Sequence, residues 1–189
     1  MEYIDIILYP NNNISIDDIC KTMNIFIQEG LTKFWGNSEW SLEQIKEAIK
    51  LCKKQNLIPP TVGLFKYNLF NFEILNSDFS DLIKNNKYGI IVYLSDSYLI
   101  ENELDNNNMK ESIIDFDFNK NNVIEKLKIY AKNNFNCNIN QLINSYTIKN
   151  GNINACLLKN SNIDDFDNNI KVLEIYKKID DNKIIEIEN

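Results

Sequence analysis

The chain has 189 residues, a net charge of −7, no histidine and four cysteines. That length suits one domain with a proper core, yet it falls short of the roughly 250 residues of a complete (β/α)₈ barrel. Lacking a basic run, the sequence offers no surface for nucleic acid or an anionic membrane, and lacking histidine it has neither the commonest general base nor the commonest metal ligand.

In chain order, residues 3–9 read as a strand buried on both faces. Ser15 and Asp18 have the spacing of a capping box, opening a helix whose Ile19, Met23, Phe26 and Ile27 point inward and which Gly30 ends. Residues 35–69 read as strand, helix and strand joined by very short turns, a parallel βαβ unit. Ser41 caps that helix with Gln44 three residues on; Ile45, Ala48, Ile49 and Cys52 form its inner face, and Pro59-Pro60 stops it. A helix over 77–87 and an apolar strand over 89–94 continue the alternation.

Residues 100–122 are polar and rich in Asn and Asp, an irregular excursion. Helices over 123–133 and 139–149 follow, the second ended by Asn150-Gly151, then a strand over 153–158. Ile163, Phe166, Ile170 and Leu173 are expected to be the core stripe of the next helix, and 184–188 a short terminal one. The expected fold is therefore α/β, about five parallel strands in sequential order with outer helices, in a single domain over 1–189.

No stretch approaches transmembrane length, and the acidic start MEYIDIILYP does not suit a signal peptide, so the chain reads as cytoplasmic. Cys20, Cys52, Cys137 and Cys156 form no C-x-x-C pair, and free, mostly buried thiols are expected. The Asn runs are loop filler. Phe65, Tyr67, Phe70 and Phe72 read as core and the floor of a loop rather than a docking surface.

The words WGNSEW, LIPP and YNLF resemble the aldo/keto reductases, in particular the branch containing the β subunits of voltage-gated potassium channels, whose fifth strand ends in W-G-T-S-x-W. Residues 3–7 resemble that family's fourth strand, 88–92 its seventh, 155–158 its eighth, and 161–169 the turn and helix on the cofactor side. The likeness implies a partial (β/α) barrel of TIM type and begins halfway round that barrel, so the expected domain lacks the N-terminal part. It implies an NADP-dependent oxidoreductase ancestry and NADP(H) as cofactor.

Family catalysis uses a Tyr proton donor assisted by Asp, Lys and His. The likeness leaves no position for the first three, and Leu8-Tyr9-Pro10-Asn11 stands where the family has L-H-R-P, so no catalytic residue is assigned. Tyr9 without a tuning partner reads as a rim aromatic. Four residues match cofactor positions: Ser38 at the nicotinamide, Ser95, and Ser161 and Asn169 at the adenosine-phosphate turn.

The departures weigh against binding. Leu64 stands for the Gln that holds the nicotinamide amide, Leu94 for a stacking Trp and Asp96 for a Pro, while Asp164 and Asp165 crowd a phosphate site where Lys159 alone compensates. Asp164, Asp165 and Asp167 are better explained as helix-start acids than as a metal site. The reading is a degenerate, non-catalytic relative, with two alternatives: a regulatory interaction module, or the C-terminal part of an active reductase. An open arc also leaves apolar edges, so self-association or a chain supplying the other barrel half is expected.

Overall fold

A computed structural model describes residues 3–67, 77–93, 118–158, 160 and 162–188. Its contacts divide the chain into two compact units: residues 1–66, 71–93 and 152–156, and residues 67–70, 94–151 and 157–189. Ser95, Ser161, Lys159, Leu94, Asp96, Phe70 and Phe72 lie outside the described residues.

The first unit is built on strands β1 (Ile4–Pro10), β2 (Thr32–Ser38), β3 (Val62–Lys66) and β4 (Gly89–Tyr93), and β5 (Ala155–Leu157) completes a sheet of order β1-β2-β3-β4-β5. The β1–β2, β2–β3 and β3–β4 pairings are parallel, as the sequence requires when each crossover is a helix. Those crossovers are α1 (Ile16–Gln28), α2 (Leu42–Gln55) and α3 (Ser77–Asn86).

Local chemistry sets their ends. Ser15 accepts the Asp18 N–H at the start of α1. Gly30 ends that helix at φ +74°, with Gly30 N donating to Ile27 O and Leu31 N to Phe26 O, the paired bonds of a Schellman motif. At α2 the Ser41–Gln44 capping box is complete, and Asn56 in the left-handed region closes the helix.

Residues paired across a parallel sheet point to the same side. Trp35, Asn37, Gly63, Phe65, Ile90 and Val92 therefore share one face, and all are buried. That is the helix side, since the Phe65 ring meets Phe79 of α3 edge-on at 5.5 Å. The opposite face carries Ile4, Ile6, Leu8, Phe34, Leu64 and Ile91. Ile4 is 49%, Ile6 39% and Phe34 50% exposed. The strand over 3–9 is thus not buried on both faces: it lies at the edge of the described sheet, and every one of its residues is exposed or half-buried, Tyr3 and Asp5 on the helix side included.

Cys20 of α1 and Cys52 of α2 are fully buried and free, and the Cys20 thiol reaches Ala48 O at 3.9 Å. Hydrogen bonding to Cys52, with burial, holds the Cys20 thiol well above its ordinary range.

The second unit is helical: α4 (Phe118–Phe135), α5 (Ile139–Lys149), α6 (Ile163–Ile170), α7 (Val172–Lys178) and α8 (Asp181–Glu188). The helix expected from residue 123 begins five residues earlier. Leu127, Ala131, Leu142, Ile175, Ile179 and Ile187 meet in its core. The expected stripe of Ile163, Phe166, Ile170 and Leu173 is exposed instead. A break at Lys171 separates α6 from α7, and the buried residues beyond it are Val172, Ile175 and Ile179, on a rotated face.

Candidate functional site

The β2–β3 register brings Ser38 opposite Leu64, and the β1–β2 register brings Pro10 opposite Ser38, so the C-terminal ends of three strands lie abreast. Open α/β sheets take ligands at this end of their strands. Ser38 is half-buried, and its carbonyl accepts the Asn11 N–H at 3.0 Å.

Beyond Ser38 the chain turns through Glu39, whose φ of +59° is strained for a non-glycine residue. Four contacts hold that conformation. Glu39 N donates to Leu64 O at 3.0 Å, Lys66 N donates to Glu39 Oε1 at 2.7 Å, and Asn11 Nδ2 donates to Glu39 O at 3.1 Å. Gln44 Nε2 then braces Asn11 Oδ1 at 3.3 Å, so the capping residue of α2 also fastens this rim. A carboxylate thus sits on the lip beside Ser38. The motif spelled out Glu39 without its geometry; the one hint was a bulky residue squeezed between Ser38 and Trp40.

Behind the lip, on the helix side, Asn37 donates through Nδ2 to the Tyr88 hydroxyl, and Asn37 Oδ1 has no partner. Burial raises the Tyr88 pKa above its ordinary range, with Asn37 opposing the shift. Gly63 lies beneath this pair: a Cβ there would come within 2.3 Å of the Phe65 ring and 2.6 Å of the Tyr88 hydroxyl. Gly36 is required for another reason, because its Cβ would meet Val62 O at 2.0 Å. Trp35 Nε1 donates to Ile58 O at 2.8 Å, tying β2 to the L-I-P-P segment.

Asn169 lies in α6, and Nδ2 donates to Asn160 Oδ1 at 2.7 Å. Asn162 caps that helix, with Asp164 and Asp165 in its first turn. Gln141 Nε2 holds the segment through Asn168 O at 3.0 Å. Tyr9 lies on β1 and its hydroxyl accepts from Asn12 Nδ2 at 3.0 Å.

A five-stranded parallel sheet in sequential order with helical crossovers, W-G-N-S ending its second strand, is the arrangement of a partial (β/α) barrel. The sequence model of the Aldo/keto reductase family matches residues 1–189. The chain belongs to that family. The match takes in the whole chain, beyond the nearly complete coverage that the separate motifs suggest.

Among curated relatives, a "probable voltage-gated potassium channel subunit beta" of Oryza sativa subsp. japonica is 30% identical over 95 residues, 49% of this chain and 29% of that protein. One of the same description from Arabidopsis thaliana has the same identity and coverage. A thermostable aldo-keto reductase in complex with the inhibitor epalrestat superposes with a TM-score of 0.72 at 18% identity, over 99% of this chain and 60% of its own. An aldo/keto reductase from Klebsiella pneumoniae, in complex with NADP and acetate, gives 0.69 at 14% identity over 99% and 58%. The two structures establish the partial barrel fold. Among the described residues, no helix is long and apolar enough to cross a membrane.

Proposed function

We propose that this chain is a non-catalytic aldo/keto reductase relative that does not reduce carbonyls with NADPH by itself. The observation that carries this reading is the pairing of Ser38 with Leu64. A nicotinamide carboxamide approaching Ser38 needs donors and acceptors beside it, and the neighbouring strand presents hydrocarbon, leaving a polar group desolvated without a partner. The Glu39 carboxylate adds negative charge to the same lip, and the Asn169 amide already bonds Asn160. These residues do not fit NADP(H) well. Absence of histidine leaves Tyr9 without a tuning partner. The free thiols Cys20 and Cys52 support a cytoplasmic setting.

Trp35 and Trp40 flank Ser38, with ring centroids 6.4 Å apart, so tryptophan emission is the natural reporter. Titration with NADPH is expected to give no saturable quenching at micromolar concentrations, and steady-state assays on aldehydes and quinones no turnover above a heat-killed control. Saturable quenching that disappears in Ser38→Ala would instead place the nicotinamide at the family position. Turnover abolished by Tyr9→Phe would sink the non-catalytic reading.

A second reading is an interaction or regulatory module. It is favoured by the exposed apolar side chains of Ile4, Ile6 and Phe34, since exposed patches of this kind mark association sites. The curated relatives described as probable channel β subunits support the same reading.

A further inference from the structure

We propose that the groove between α2 and α3 is a docking site for an acidic amphipathic helix of a protein partner. The groove has a volume of about 300 Å³ and is lined by Lys46, Ile49, Lys50, Lys53, Leu82 and Asn86. Both helices belong to the first unit, and neither Ser38 nor Leu64 lines the groove. Its occupancy is therefore a separate question from NADPH binding.

Charge and spacing select the occupant. Lys46, Lys50 and Lys53 stand at i, i+4 and i+7 on α2, so they form one row along a single helix face. Among the described residues none of the three forms an ion pair. Glu43, one turn before the row, is engaged at the start of α2, where hydrogen bonds from the backbone and from Ser41 hold its carboxyl below the usual range. Lys53 Nζ donates to Asn86 Oδ1 at 3.3 Å, which fixes one end of the row across the groove and leaves the ammonium two further donors. On a chain of net charge −7, three cations without a carboxylate partner are a local reversal of sign.

Successive lysines of the row lie about 5–6 Å apart. Carboxylates at the same spacing on a second helix match them one for one, whereas the phosphates of a polyphosphate chain lie closer together than one helical turn. Ile49 and Leu82, both buried, supply an apolar floor on which one aliphatic side chain of the partner seats. Such a pattern is the helix-in-groove mode of recognition. At about 300 Å³ the groove lies at the lower bound of small-molecule pockets, so it takes a side chain of a partner better than a whole drug-sized ligand.

The test is fluorescence anisotropy on the full chain with a fluorescein-labelled helical peptide carrying Glu at i, i+4 and i+7 and Leu at i+3. Saturable binding is expected, weakening as salt rises. Three exposed pairs together are worth roughly tenfold in affinity, and Lys46→Gln, Lys50→Gln and Lys53→Gln combined are expected to cost that much. The exposed Lys126, Lys177 and Lys178, changed together to Gln, remove the same net charge elsewhere and are expected to leave binding as in the parent. A peptide of identical composition with its Glu residues scattered round the helix meets the same overall repulsion and is expected to bind roughly tenfold more weakly than the patterned one. No saturable binding, equal binding of the two peptides, an unaffected groove variant, an equal loss in the control variant, or displacement by tripolyphosphate at a lower concentration than by unlabelled peptide would each overturn the proposal. Circular dichroism checks folding; should the triple groove variant fail to fold, Lys50→Glu alone decides.

Discussion

Asn37 and Tyr88 form the sharpest energetic prediction in the first unit. The two residues are 51 apart in sequence, both are essentially inaccessible, and the Tyr88 hydroxyl accepts the Asn37 amide. Tyr88→Phe removes the hydroxyl and strands the Asn37 N–H beside an Oδ1 that already lacks a partner. Leaving a buried donor unpaired costs about 2 kcal/mol. Asn37→Leu leaves the hydroxyl alone in the same place, for a loss of about 2 kcal/mol. The double variant has no orphan, not even the parental Oδ1, and is expected within about 1 kcal/mol of the parent, a coupling of about 3 kcal/mol. Urea unfolding followed by tryptophan emission measures it cleanly, because Trp35 and Trp40 both lie in the first unit. Equal m-values are required for the comparison. A double variant that loses the sum of the two single losses would refute the reasoning, as would a neutral Tyr88→Phe.

Gly36→Ala forces a Cβ to within 2.0 Å of Val62 O, a backbone atom, so β2 and β3 must part; the expected loss is at least about 3 kcal/mol, read by the same unfolding experiment, and a stable variant would mean the strands separate cheaply. Alkaline stability follows from burial, which pushes the Cys156 thiol up to about 12 from its ordinary 9 and raises Tyr88 as well. The folded chain then keeps protons that the unfolded chain has released, so stability is intact below pH 9 and is lost as pH rises through 12. Thermal midpoints against pH should show this decline, shallower in Cys156→Ala; an unchanged slope would remove the thiol from the account.

The elements were legible because their ends are written in side chains. Ser15, Ser41 and Gly30 each act on the backbone within a few residues, so their effect does not depend on what lies across the molecule. Burial was not legible to the same degree. The apolar run in β1 announces a strand, but only its place at the sheet edge decides that Ile4 and Ile6 remain exposed. Likewise Ile163, Phe166 and Ile170 do make a stripe on α6. Periodicity shows that such a stripe exists, not that anything covers it.

At the candidate site the same division has a functional meaning. W-G-N-S located Ser38 correctly at a strand end, since Trp35, Gly36 and Asn37 each answer to a local packing demand: an indole bond to Ile58, a passing carbonyl and a buried hydroxyl. What Ser38 can do is decided by residues it meets only through the register, Leu64 on β3 and the Glu39 turn that Asn11, Leu64 and Lys66 hold in place. Trp35, Gly36 and Asn37 thus serve the sheet, whereas Leu64 meets Ser38 only across the register. A polar side chain in place of the half-buried Leu64 would cost little, because that position lies on the sheet face opposite the helices. Folding therefore does not require leucine there, and under the proposed reading the hydrocarbon beside Ser38 bears on ligand chemistry rather than on stability.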